Sequence, residues 1–269
     1  MSDVHGRAGG RTDDWADGLF DGFDPADAPG DGPVAFGGAP TGAVLLAAAR
    51  RGLFPLPGDD LAAAYREARY GAEVASGRVR LLPGPAGADP YALAWWCPDP
   101  RPVVTAGGVH LSTRLRRGLR GRADWCSTAD RAFAEVVAGC ARGRSPVWLT
   151  PELRAALVGL HRAGAAHSVE VWEGDALVGG VFGVAVGGVL SLDSMFRLRP
   201  GADRVAVADL GDRFAAAGGR LLDLQWDGAH VRALGARPVA RRDYLGALAG
   251  PGAEAVPLGT GPLPVARLG

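Results

Sequence analysis

The chain has 269 residues, 48% of them apolar, and its 29 basic and 29 acidic side chains cancel at neutral pH. That is enough to bury one large core or two modest ones, and it excludes disordered, fibrous and collagen-like classes for the main body. No run of eighteen apolar residues is present, and the N-terminus is acidic and Gly-rich rather than signal-like, so the expectation is no membrane and a cytoplasmic location. Cys97, Cys126 and Cys140 are an odd number without C-x-x-C spacing, which points to reduced thiols and to no metal site. The charge is unevenly spread. Residues 1 to 31 carry eight Asp against two Arg, so the remainder is +6, with arginine as its only basic residue apart from histidine. Such a body can meet a polyanion, although the excess alone does not specify nucleic acid.

Residues 1 to 31 lack periodicity and are rich in Gly, Asp and Pro, the composition of a disordered acidic tail. From Val34 the pattern changes: Thr41 is placed to cap a helix with Val44, Leu45, Ala48 and Ala49 on one face, and Gly52 stops it. Residues 57–93 form a second compositional shift, a helix-like AYREARYGAEV followed by a flexible LLPGPAGADP, and read as an insertion. Trp95-Trp96-Cys97-Pro98-Asp99-Pro100-Arg101 follows. Its paired rings fit either a stacking platform for bases or a packed corner between domains.

Residues 110–122 (HLSTRLRRGLRGR) predict a helix with five arginines and no acid, either a solvated face or a phosphate-binding one. A helix over 130–141 is expected to be capped by Thr128 or Asp130. Thr150-Pro151-Glu152 opens another with Leu153, Ala156, Leu157 and Leu160 inward. His167, Val169 and Val171 alternate with polar neighbours as in a half-buried strand. Leu177 to Val186 is a nearly continuous apolar strand, and Gly187-Gly188 turns it into a third, Val189 to Phe196. Val207, Leu210, Phe214 and Ala217 then form one helical stripe. Arg220 to Gln225 returns as a strand with Asp223 and Gln225 two residues apart on one face. His230 reads as a structural residue, and the Pro- and Gly-rich residues 250–269 as a loose tail.

The ordered set RRGLFP, WWCPDPR, VWLTPEL, LHRAGAAHSVEVW, LVGGVFGVAVG, DSMF, DLQ, LGA and RRDYL, spread from about Val34 to Leu248, resembles the leucyl/phenylalanyl-tRNA–protein transferases. The resemblance implies an α/β architecture: a small N-terminal domain (32–101) followed by an acetyltransferase-like (GNAT) catalytic domain (102–249) with a mixed sheet and flanking helices. It implies transfer of Leu or Phe from aminoacyl-tRNA to the N-terminal Arg or Lys of acceptor proteins, creating a degradation signal. No cofactor is implied, because the ester is already an activated acyl donor, and the chain is expected to act as a monomer.

By the same resemblance Asp223 attracts the proton of the attacking amine and Gln225 orients it. Val181, Asp193, Val207, Leu210, Phe214 and Leu222 line the aminoacyl pocket, which is plain core on periodicity alone. Trp95, Trp96 and Trp148 are the candidate rings for the tRNA end, and Arg114, Arg116, Arg117, Arg120 and Arg122 the candidate phosphate partners. The chain departs from the family pattern at four places. FPW is Phe54-Pro55-Leu56, which removes a ring; GESMF is Leu192-Asp193-Ser194-Met195-Phe196; WWSPDPR carries Cys97; and the usual Ser-Lys is Asp203-Arg204. These departures keep two alternatives open, an aminoacyl-tRNA-dependent acyltransferase acting on another amine and a non-catalytic binder of tRNA or protein N-termini.

Overall fold

The computed structural model describes residues 16, 18–22, 24–250 and 257–269. Two sheets are built in succession. The first has the order β2-β4-β1-β3, from β1 (Pro33–Gly37), β2 (Phe54–Pro57), β3 (Arg80–Leu82) and β4 (Leu93–Trp96). Helix α1 (Gly42–Arg50) joins β1 to β2. Its cap is Thr41, whose Oγ1 accepts from Val44 N at 3.3 Å, and it buries Val44, Leu45 and Ala48. Helix α2 (Asp60–Ala75) and β3 belong to the segment 57–93. That segment is integral rather than a loose excursion. β3 pairs in parallel with β1, and the buried Arg66 of α2 donates to the carbonyls of Leu56, Tyr91 and Ala92.

The second sheet has eight strands in the order β11-β5-β10-β9-β8-β7-β6-β12. They are β5 (Arg101–Thr105), β6 (Trp125–Ala129), β7 (Ala166–Glu173), β8 (Ala176–Val186), β9 (Val189–Arg197), β10 (Leu221–Asp223), β11 (Arg237–Val239) and β12 (Leu263–Pro264). Its helices are α3 (Thr113–Leu119), α4 (Phe133–Ala141), α5 (Pro151–Arg162), α6 (Ala202–Ala216), α7 (Ala229–Ala233) and α8 (Arg241–Leu248). In the meander β7-β8-β9, β7 is buried on both faces rather than half-buried: Ser168 and Glu170 have no exposed surface, and Glu170 accepts from Thr128 Oγ1 and Ser168 Oγ. β9 and β10 run parallel, as they must when a helix, α6, carries the chain across the sheet between them. The result is a mixed α/β sheet with flanking helices.

Each face of this sheet has its own core. Val181, Leu190, Leu192 and Leu222 pack beneath α6 against Val205, Val207, Leu210 and Phe214. On the other face Phe182 and Val184 meet α1, α4 and α5, and this core continues into the small sheet through Val34, Ala35, Trp95 and Cys97. A shared core therefore ties the two sheets together.

Four sequence expectations are corrected. Of the acidic tail, residues 1–15, 17 and 23 lie outside the described residues; the described part is ordered against the body rather than loose. Phe20 is wholly buried with its edge on Trp95. Pro25–Asp27 form a 3-10 turn, and the Arg241 guanidinium donates to the carbonyls of Ala26, Ala28 and Pro29. At the C-terminus residues 251–256 lie outside the described set, but 257–269 are anchored: β12 extends the sheet beside β6, Val265 is buried, and Arg267 pairs with Asp209. Helix α4 begins at Phe133 without a side-chain cap, because Thr128 donates to Glu170 and Asp130 accepts from Ser168 N. Helix α3 is shorter than the arginine run and is capped by Ser112.

Candidate active site

The site lies where β5, β9 and β10 meet the small sheet, and it is assembled around one anion. Asp223 ends β10 with no exposed surface. Burial alone would raise its pKa, but five donors converge on it: Arg101 Nε (2.8 Å) and Nη2 (2.7 Å), Ser191 Oγ (2.8 Å), Tyr244 Oη (3.1 Å) and the Gln225 backbone N–H (2.9 Å). The charge of Arg101 and these bonds hold the carboxyl below its ordinary range, so it is a fixed anion. Arg101 is reciprocally locked. Burial would lower its pKa, Asp223 raises it above the ordinary value, and its guanidinium lies over the rings of Phe54 (5.0 Å) and Tyr244 (4.5 Å).

A second carboxylate stands nearby in a different state. The register of β8 and β9 shifts between Phe182 and Gly183, so Asp193 occupies a bulge. Gly183 is required there, since a Cβ would sit 2.1 Å from the Ser191 carbonyl oxygen. The bulge turns Asp193 into a cavity it shares with Ser191, Arg101 and Tyr244. Burial, with the negative charge of Asp223 adding to it, pushes the Asp193 carboxyl up to about 7 against the hydrogen bond it accepts from Gln225 Nε2 (2.7 Å). Gln225 also donates to Ser191 Oγ at 3.2 Å. It follows β10 in a left-handed conformation (φ 59°), an uncommon position for such a side chain. The two carboxylates thus have pKa values driven apart, one held ionised and one poised near neutrality.

The rest of the cavity wall is apolar: Leu45, Leu53, Phe54, Leu153, Leu157, Val184, Val186 and Val189, from α1, α5, β2, β8 and β9, with Trp148 beside them. Phe54 makes an edge contact with Trp226 (5.5 Å), which also meets Trp96 (5.0 Å). Trp226 is 43% exposed, an unusual outlay of apolar surface immediately after Gln225. On the surface, Arg114, Arg122, Arg197 and Arg204 line a groove between α3 and the start of α6. Arg142 and Arg144 line a neighbouring one with Met195 and His230, and both grooves share Arg197.

A family model described as Leucyl/phenylalanyl-tRNA protein transferase matches residues 103–249. The chain belongs to this family. Transferases of that name from Shewanella baltica (strain OS155 / ATCC BAA-1091) and Xanthomonas campestris pv. campestris (strain B100) are each 42% identical to it, over 156 and 161 residues. The matches cover 57% and 58% of this chain and 65% and 64% of theirs. One from Proteus mirabilis (strain HI4320) is 43% identical over 154 residues, 57% of this chain and 66% of its own. The chain thus spans about 65% of the length of the curated relatives it matches. Among solved structures, a GCN5-related N-acetyltransferase from Kribbella flavida overlaps at TM-score 0.33 with 18% identity, covering 53% of this chain and 55% of that one. L-PGS from Bacillus licheniformis overlaps at 0.35 with 13% identity, covering 49% and 48%.

In this leucyl/phenylalanyl-tRNA protein transferase family member, Asp193, Asp223 and Gln225 come together. Asp223 accepts from Arg101, Ser191, Tyr244 and Gln225, and these bonds favour its ionised form. Val181, Val207, Leu210, Phe214 and Leu222 are wholly buried beneath α6 on the opposite face of the sheet, and none lines the cavity beside Asp193.

Trp95 is likewise core, its indole N–H donating to the Gly37 carbonyl at 2.9 Å, and so is not a platform. Trp96 and Trp148 are half-buried at the site. Of the α3 arginines, Arg114 enters the groove with Arg122, whereas Arg116, Arg117 and Arg120 are exposed outside it. His230 is exposed, with Nε2 3.3 Å from Met195 Sδ, rather than satisfied in a core. Sequence reasoning assigned no role to Arg101, Ser191, Tyr244 or Trp226. Arg101 and Tyr244 stand within the quoted motifs WWCPDPR and RRDYL, but their convergence on Asp223, 122 and 21 residues away, is a property of the sheet.

Proposed function

We propose that this chain transfers Leu or Phe from aminoacyl-tRNA to the N-terminal Arg or Lys of acceptor proteins and so marks them for degradation. The observation that carries this reading is a pair of carboxylates with opposed pKa values at an apolar cavity, in a chain of this family. An α-amine with a pKa near 8 must lose a proton to attack an ester, and a carboxylate pushed up to about 7 is matched to that task. Asp193 accepts the proton, and the 3′ oxygen of the departing tRNA takes one up as the ester C–O bond breaks. Gln225 fixes Asp193 from one side, and Asp223 with Arg101 fixes Gln225 and Ser191 from the other. The gain comes mostly from holding amine and ester together.

The leucines and valines of the cavity, with Phe54, make its wall apolar, but the space inside is about 30 Å³, so an aminoacyl side chain enters only as that wall opens; selection among such side chains is graded, about 1 to 3 kcal/mol per methylene. Trp226, backed by Trp96 and Phe54, supplies a ring for a terminal base where Leu56 offers none. The grooves lined by Arg114, Arg122, Arg142, Arg144, Arg197 and Arg204 suit the phosphate backbone.

The test is a transfer assay with tRNA charged with labelled Leu or Phe and peptides that begin with Arg, Lys or a neutral residue. Label on the Arg and Lys peptides alone is the expected result. Label on a small amine instead supports a different acceptor, and tRNA binding with no product in any arm refutes catalysis.

A further inference from the structure

Among the described residues, all but one of the hydroxyl, amide and guanidinium donors around the cavity are engaged. Ser191 Oγ and Tyr244 Oη donate to Asp223, and Gln225 Nε2 donates to Asp193 and Ser191. Arg101 Nε and Nη2 also hold Asp223. The exception is Arg101 Nη1, which is buried and has no hydrogen-bond partner among the described residues, although Arg101 lines the cavity and is 1% exposed. A buried donor left empty costs stability, and this arginine is held on its other edge by a carboxylate and lies against the rings of Phe54 and Tyr244. Its charge is already balanced by Asp223, so the vacancy suits an oxygen that is neutral at first and gains charge only during reaction, rather than a free anion. The family match begins at residue 103 and does not include Arg101.

We propose that Arg101 Nη1 is the oxyanion donor of the site, receiving the carbonyl oxygen of the aminoacyl ester and strengthening its hydrogen bond as that oxygen becomes negative. This rests on the transfer reaction argued above. The amine nitrogen forms a bond to the ester carbon while the C=O electron pair moves onto the oxygen held by Nη1. The pair then returns, the C–O bond to the 3′ oxygen breaks, and the amine's proton, taken by Asp193, leaves on the 3′ hydroxyl. The donor is set before the reaction starts, so no reorganisation accompanies charge development.

Two variants test this, Arg101→Lys, which can keep the pair with Asp223 but cannot hold it and a second oxygen in the same fork, and Arg101→Gln combined with Asp223→Asn, which removes both charges together. Each is compared with wild type for kcat and for binding of two inert 3′-aminoacyl-adenosine analogues, one with a planar amide and one with a tetrahedral phosphonate at the ester position. Expected are a fall in kcat of about 100- to 1000-fold and loss of the preference for the phosphonate, with amide binding nearly unchanged. A merely structural role would weaken both analogues alike, and that outcome overturns the proposal. So does normal kcat in either folded variant.

A measurement on the wild type needs no variant. The infrared carbonyl stretch of a 13C-labelled ketone analogue should shift to lower frequency on binding, and an unshifted band refutes the contact. No transfer by the wild type from either charged tRNA overturns the functional reading itself, whereas transfer with an unshifted band overturns only the role of Arg101.

Discussion

Replacing Asp223 by Ala separates a positioning anion from a proton acceptor. The substitution removes the partner of a guanidinium that is 1% exposed and unmakes five hydrogen bonds at 2.7 to 3.1 Å. Breaking a buried ion pair from one side costs about 3 to 5 kcal/mol, a large share of a total stability of about 5 to 15 kcal/mol. For a chain of this size that corresponds to a melting temperature lower by about 6 to 20 °C. Because the folded carboxyl is held below its ordinary pKa, its contribution is present above about pH 4 and fades only as pH falls through the folded value. The loss should therefore be complete at pH 7 and shrink in acid. Thermal melts across pH, read with the transfer assay, check this. Arg101→Met with Asp223→Leu, which removes both charges for apolar volume, should recover stability without recovering transfer. A melting temperature for Asp223→Ala within about 2 °C of wild type at pH 7 refutes the reasoning. It would mean that the anion is not a keystone of the site.

Asp193 has the opposite sign. Its raised folded pKa, about 7, makes its contribution full below about pH 4 and lost as pH rises through 7. At about 1.4 kcal/mol per pKa unit, Asp193→Asn should gain up to about 4 kcal/mol over wild type at pH 8, read by denaturant titration, while abolishing transfer. In wild type the rising limb of kcat/KM near pH 7 should stay in place when the acceptor's amine is made more acidic; a limb that moves with the amine refutes Asp193 as base. Trp226→Ala should weaken binding of an inert 3′-aminoacyl-adenosine by about tenfold to a hundredfold in a fluorescence titration, and Leu56→Trp should restore part of it. Arg114→Ala and Arg142→Ala should each reduce the salt dependence of tRNA binding by about one unit of slope without changing the preferred amino acid. Arg241→Met removes the donor to the carbonyls of Ala26, Ala28 and Pro29, so limited proteolysis should cut near residues 24–31 faster than in wild type.

Local chemistry in the sequence was sufficient for several of the elements. Thr41 and Thr150 cap the helices they were expected to cap, residues 167–171 lie in a strand as expected, the Gly187-Gly188 turn closes the meander, and the Val207-Leu210-Phe214 stripe faces the sheet. These depend on neighbours within a few residues. Recognition of ordered motifs added the family, and with it Asp223 and Gln225. What the sequence could not convey was the protonation and the facing of those residues, because both depend on contacts far along the chain. Asp223 is an anchored anion only because β5 and α8 bring Arg101 and Tyr244 to it.

Asp193 reaches the cavity only because the β8–β9 register slips by one residue, which alternation alone cannot reveal. The same slip separates the cavity from the apolar core under α6, where a period of two or 3.6 looks identical for a ligand wall and for packing. The anchoring of residues 18–22, 24–31 and 257–269 was hidden for the same reason. Composition predicts loose segments, and single long-range contacts from Phe20, Arg241 and Arg267 override it. Sequence therefore determined the elements, their order and the family. Tertiary structure decided which carboxylate is fixed, which is titratable and where the cavity lies, since charge states and cavities arise from side chains that meet only after the sheet has formed.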